Sequence, residues 1–422
     1  MWTPERDMNS ILTFIPDWKR FTSRVFASVA SVASVVLLSN GTVHAAELAR
    51  STMKRLTPFE QRLINLPPDT WFEAPGTAMQ NVCPPASFGV NAVMGCTAII
   101  EAWGGGAYDS RQRKMLVWGG GHNDYWGNEI YGFDLRQGRW ERLTDPTQGK
   151  LVSEANSDPL PDGQPNSRHT YDGMQYITHR AQTFAHGGAI SPGGGGTAVT
   201  WLFDSEKRVW TAASTTGGPG GYALASAYDP ASRLVIVRAT KGLWSYDADA
   251  NQWQRLIGFG YAPNWPRYEV SRNKRGAVDT KRQLFWSVGS NDLLVWDIQK
   301  KTLVTNEWVT IGGDPYTNAA RLKNNPLQVF ESGGGDIFNA RGPGFDYDSK
   351  ADQFVAWKGG APSILDLSTK TWHTGSKAGS PLSQARNGTF GRWRYVPEYN
   401  VFLLVNSASS NVFFYKNTAG AP

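Results

Sequence analysis

The sequence predicts an all-β chain folded as a six-bladed β-propeller of four-stranded antiparallel blades, and three observations predict it. The first is composition. Among 422 residues there are 45 Gly, 24 Pro and 18 Trp, with 12% aromatic and only 18% charged side chains. Such a chain is rich in turns and poor in the residues that long helices favour, which excludes coiled coils, helical solenoids and disordered chains. The second is an internal repeat. The third is that the last repeat lacks one strand while a matching strand stands near the start, so the two ends can close a ring.

Taken in chain order, residues 1–45 read as a secretory signal. Lys19, Arg20 and Arg24 precede an apolar, small-residue stretch from Val25 to Leu38, and Val43-His44-Ala45 offers small residues for cleavage. The apolar stretch is shorter than the ~20 residues a spanning helix needs, so no membrane span is expected after cleavage. A secreted or periplasmic protein follows. Residues 46–66 form a lead-in, and 67–418 form one propeller domain, expected to be a monomer. Without residues 1–45 the formal charge falls from +6 to +5. This mild basicity, without Lys/Arg runs, excludes a dedicated nucleic-acid binder but suits local capture of anions. Cys83 and Cys96, alone in an exported chain and outside any CxxC pattern, are expected to form a disulfide.

The repeat is an Asp closing a β-like run with Trp six residues later: Asp134/Trp140, Asp204/Trp210, Asp247/Trp253 and Asp366/Trp372, with Asp297/Leu303 as a degenerate copy. Each reads as strand, tight polar turn, strand. Upstream of most copies lies a second hairpin signature at Tyr108-Asp109, Tyr228-Asp229, Val278-Asp279 and Tyr347-Asp348, with a variant at Tyr395-Val396-Pro397. Two hairpins make a four-stranded blade. Three blades end their second strand in a glycine pair, at Gly119-Gly120, Gly187-Gly188 and Gly359-Gly360. The last unit supplies three strands only, and Trp71-Phe72-Glu73 resembles the outer strands and is expected to complete it.

Double glycine, a following aromatic and an outer-strand Trp make the chain resemble the kelch-type propellers, the superfamily of the galactose oxidase central domain. The blades around Arg238, Ser290 and Asn406 depart from that pattern. Strings such as "WGGGHNDYWGNEIYGFDL", "SRHTYDGMQYI" and "RWRYVPEYNVFLLVN" are similar to a family of exported bacterial kelch-like proteins. The resemblance implies that loops between blades, and from second to third strand, open on one face, here called the top. The long insertions at 119–128, 146–170, 258–270 and 310–342 all fall there, where binding normally sits.

His122, His169 and His186 are expected on the top face of the first two blades. Three imidazoles there are able to hold a divalent metal, although no carboxylate ligand is identifiable and no cofactor is firmly predicted. The alternative is that some of them hydrogen-bond loop carbonyls. Tyr222 and Arg238 are expected near the same mouth, where Arg238 either meets substrate or pairs with an Asp of a neighbouring loop. Arg168, Arg267, Arg341 and Arg392 would make a cationic cup, with Asn123, Tyr125, Asn128, Tyr171, Tyr268 and Asn387 as further substrate contacts. Trp126 and Trp265 are either sugar platforms or packing wedges.

Tyr, His and Arg in a cationic cup resemble the propeller-type polysaccharide lyases, which cleave uronate polymers by β-elimination. That resemblance implies Arg238 as the group neutralising the uronate carboxylate, and Tyr222 with His122 or His169 as base and acid. The partner would be an anionic polysaccharide or envelope glycan. A non-catalytic kelch-type module binding glycans or protein through the same face is the alternative. Copper-radical oxidation is disfavoured because both cysteines lie before the first full blade. The glycine-rich runs "SPGGGG" and "ESGGGD" do not open helices, so phosphate cradling is not supported.

Overall fold

The computed structural model describes residues 56–213, 216–221, 223–258, 273–305 and 334–420. The expected signal in 1–45, and Tyr222, Trp265, Arg267 and Tyr268, lie outside the described residues. The first strand, β1 (Thr70–Ala74), stands apart from its sequence neighbours. β2 (Gly105–Asp109), β3 (Lys114–Trp118), β4 (Ile130–Asp134) and β5 (Arg139–Arg142) then form the first blade in that order. Five further four-stranded antiparallel sheets follow, with inner strands beginning at Met174, Ala225, Arg275, Gly344 and Trp393. Each inner strand touches the next, and the sixth touches the first, so the sheets stand as a six-bladed ring.

The Asp-to-Trp spacing is the register of the outer hairpin. Asp134 Oδ1 accepts the backbone N–H groups of Arg136 and Gln137 at 2.7 and 3.2 Å, satisfying donors that the turn leaves without a ladder partner. Asp204, Asp247 and Asp366 cap their turns in the same way. A residue with positive φ then completes each bend: Gly138, Arg208, Asn251 and Lys370. The Trp lands opposite the residue before the Asp, pairing Phe133 with Trp140, Phe203 with Trp210, Tyr246 with Trp253 and Leu365 with Trp372. In the degenerate copy the roles are exchanged, Trp296 facing Leu303.

The ring closes as the sequence predicts. β1 pairs antiparallel with Val412–Lys416, from Thr70 opposite Lys416 to Ala74 opposite Val412. The Trp71 ring lies 5.1 Å from that of Tyr415 and 5.8 Å from that of Trp393. The helix α1 (Pro58–Ile64) opens with a capping box between Thr57 and Glu60, and its Phe59 packs between Phe133 and Phe414. Trp118, Trp201, Trp286, Trp357 and Trp393 are fully buried. The disulfide between Cys83 and Cys96 is formed, with a Cα–Cα distance of 6.0 Å. No helix of the described residues is long and apolar enough to cross a membrane.

Charged groups fill the axis of the ring. Both Asp172 carboxylate oxygens accept from Arg275 Nη1, at 3.0 and 3.1 Å, and Oδ2 also accepts the N–H groups of Ser226 and Gly276. Arg394 Nη2 donates to Gly106 O, Met174 O and Gln175 Oε1. These buried bonds tie five of the six inner strands together. On the bottom side of this plug lies a cavity of about 210 Å³ whose lining includes Gln175, Asp346 and Arg394.

Candidate functional site

The top-face loop between β3 and β4 begins with three glycines because the crossing to the second blade passes against it. A Cβ on Gly121 would sit 2.1 Å from the Arg168 backbone. The loop then turns through His122, whose φ is +49°, and Asp124 N–H donates back to Gly121 O at 3.1 Å. Met94 N–H donates to Asp124 O at 2.8 Å, and Ser191 Oγ donates to His122 O at 2.8 Å, so the loop is pinned from two sides. The His122 imidazole lies against Gly194, where a side chain would leave no room.

His169 arrives from the crossing. It belongs to a two-residue strand, Arg168–His169, paired with Ala189–Ile190, and is almost fully buried. Its Nε2 donates to Asp124 Oδ2 at 2.8 Å, and its ring lies 5.8 Å from that of His122 and nearly perpendicular to it. One ligand atom from each of His122, Asp124 and His169 falls within 4.8 Å of the others. His122 is exposed and Asp124 partly so, which leaves the cluster open to solvent.

An aromatic wall stands beside it. The Trp103 ring is 4.9 Å from His169, Tyr171 is 6.2 Å from His169, and Phe390 is 5.9 Å from Tyr171. Trp103, Tyr171 and Phe390 have φ of +51°, +47° and +49°. With His122, they are the ring-bearing residues in the left-handed region among the described residues, and all four share this mouth. Bulky side chains rarely adopt that backbone, and such departures gather where a side chain must be aimed. Trp103 is the partly exposed face of this wall, whereas Tyr171 and Phe390 are buried.

The other sequence candidates do not join the cluster. Arg238 is buried and pairs with Asp292 while donating to Ser287 Oγ at 3.3 Å; it holds blades three and four together. Arg168 is buried, 2.6 Å from Asp158 and over the Trp118 ring. Arg392 is buried and donates to the carbonyls of Gly104, Val405 and Gly388; burial lowers it to about 9 despite the nearby Glu101. The expected cationic cup therefore does not draw on Arg168 or Arg392, and Arg238 takes the Asp-pairing alternative: each guanidinium satisfies the protein's own acceptors. His186 is buried between Thr200 Oγ1 at 2.8 Å and Pro219 O at 3.0 Å, and burial pushes it down to about 4, so it is a neutral structural imidazole rather than a ligand.

Tyr125 is fully buried and donates to Glu129 Oε1 at 2.5 Å, as Tyr131 does at 2.7 Å. Burial outweighs these bonds and raises the Glu129 carboxyl to about 7. Asn128 is buried and bridges Thr147 and Pro165, tying the insertion down rather than facing a ligand. Asn387 donates to Glu101 O, Asn123 is exposed beside His122, and Arg341 is exposed, facing the Asn273 amide.

Two residues of the mouth escaped sequence reasoning, Asp124 and Trp103. Asp124 stands two residues after His122 in "GHND", a spacing that by itself does not mark a ligand. Trp103 lies in "EAWGGGAYD", ahead of the first inner strand, and nothing in that string indicates that it leans on His169. No known protein-family model matches the chain, and no curated protein matches it.

Proposed function

We propose that the protein is an exported, carbohydrate-active kelch-like propeller that binds an anionic, uronate-bearing polysaccharide at the top-face mouth of its first two blades and cleaves it by β-elimination. The observation that carries this reading is the convergence of His122, Asp124 and His169 beside the partly exposed Trp103. A flat indole offers a face for a sugar ring, and an oriented imidazole–carboxylate pair provides polar recognition. The disulfide supports export, since such bonds persist in oxidising compartments.

In the elimination, a base removes the proton at C5 of the uronate, and the electron pair forms the C4–C5 double bond. The C4–O glycosidic bond breaks, and the departing oxygen takes a proton from an acid. A positive group on the uronate carboxylate acidifies C5–H and stabilises the developing charge. Arg238, the sequence's candidate for that role, is committed to Asp292, which moves the role to the histidine cluster. Tyr222 remains the candidate for proton transfer.

A second reading, a non-catalytic glycan- or protein-binding module, is favoured by the same commitment of Arg168, Arg238 and Arg392 to internal partners. The two separate in one experiment. The mature protein is incubated with alginate, pectate, glucuronan, ulvan and glycosaminoglycans while the ultraviolet absorbance of the unsaturated product is followed. Elimination predicts a rising trace on at least one polymer, abolished in His169→Ala and retained in a folded Arg238→Ala. A flat trace with measurable polymer affinity establishes the binding module instead.

A further inference from the structure

We infer that His122, Asp124 and His169 form a binding site for one divalent transition-metal ion of the Zn²⁺ class. The inference deepens the reading above and rests on it for what the ion does, though not for whether it binds. Two neutral imidazoles and one carboxylate are a donor set that Zn²⁺ accepts, and a three-residue protein set leaves a coordination position for an outside ligand. The three donor atoms already lie within 4.8 Å of one another, close enough that small side-chain rotations bring all three to one centre.

The surroundings favour an ion over a plain hydrogen-bonded pair. His169 Nε2 donates to Asp124 Oδ2 at 2.8 Å, and His169 is almost wholly buried. A cation that displaces this proton keeps both groups satisfied while drawing in the exposed His122. The loop presenting His122 and Asp124 is anchored through Met94, Val93 and Ser191, so those two donors are pre-positioned and little ordering remains when an ion arrives. His122 holds a left-handed backbone in the long loop between β3 and β4, and its ring lies 5.8 Å from that of His169.

The ion also resolves a chemical difficulty. His122, Asp124 and His169 include no fixed cation able to meet a uronate carboxylate. A bound dication supplies the neutralising charge that Arg238 gives to Asp292.

The test uses the intact mature chain, stripped with chelator and dialysed against Zn²⁺, with Co²⁺ as a visible-absorbance probe. One ion per chain is expected. His122→Asn preserves the left-handed turn, which Asn tolerates, and Asp124→Asn preserves the size of the side chain. Each is expected to weaken Zn²⁺ binding by at least about tenfold and to change the Co²⁺ spectrum, with circular dichroism unchanged. His373→Ala, on an exposed outer strand, is expected to bind as the parent does. Absence of uptake, or uptake that survives in the folded His122→Asn/Asp124→Asn double variant, overturns the inference. Metal uptake without cleavage of any polymer leaves the site standing and removes the elimination reading. Cleavage that persists in chelator, with no uptake, does the reverse.

Discussion

The bottom hairpins and the top-face mouth use one unusual backbone conformation for different ends. On the bottom, Arg208, Asn251 and Lys370 have positive φ because the bend between two strands requires it; all three are exposed, Asn251 Oδ1 accepting from the Tyr246 hydroxyl and Arg208 pairing with Glu141. On the top, Trp103, His122, Tyr171 and Phe390 adopt the same conformation outside the tight two-strand turns; Trp103 and His122 face His169, and Tyr171 faces Trp103 and Phe390. The left-handed region costs an L-residue roughly 1–2 kcal/mol. At the bottom that cost is offset by turn hydrogen bonds, and at the top by packing around the cluster. The carboxylates divide the same way. Burial acts to raise Asp366, but bonds from Ser368 and Thr369 outweigh it and hold the group at about 2, whereas Glu129, beneath the top loop, is raised by burial to about 7.

The two kinds of left-handed residue are expected to respond differently to glycine. Phe390→Gly relieves its backbone but empties a fully buried ring site against Tyr171, Gly342 and Gly388. It is expected to lose about 3–5 kcal/mol in urea unfolding. A loss below about 1 kcal/mol would mean that packing does not hold the mouth.

Glu129 sharpens the contrast between carboxylates. Its pKa is raised from 4.5 to about 7 in the folded state, so the stability it contributes is fully present below pH 4.5 and lost as pH rises through 7. Glu129→Gln, which cannot ionise, is therefore expected to be more stable than the parent at pH 8, by an amount on the order of 1–3 kcal/mol. The gain should shrink as pH falls from 7 to 4.5. Thermal melts across that range check it, and a pH-independent difference would place the ionisation elsewhere. The smallest effect is expected at Lys370→Gly, an exposed turn position, where stability should change by less than about 1 kcal/mol and toward the stabilised side.

Much of the fold was legible because its signals are local. An Asp caps its own turn within three residues, and Trp140 meets Phe133 across the same hairpin, so both can be read from spacing. Ring closure was legible too, because Trp71 carries the pattern of an outer strand. The site was legible only in part. His122 and His169 are legible from their loops, but Asp124 is not, since a lone Asp in a loop says nothing about a histidine 45 residues away. Arg238 reads from the sequence equally as substrate contact or as the partner of a neighbouring Asp, and only the fold supplies Asp292.

The amino-acid order by itself therefore determined the blade and the number of blades, because hairpin register and turn chemistry depend on neighbours a few residues apart. Which polar groups remain available for chemistry was decided only by the tertiary structure. Arg168, Arg238, Arg392 and His186 are committed to acceptors brought to them by other strands and loops, while His122, Asp124 and His169 converge from two separate insertions. A buried charge or imidazole must find partners wherever the fold supplies them, and those partners are set by the assembled ring rather than by proximity along the chain.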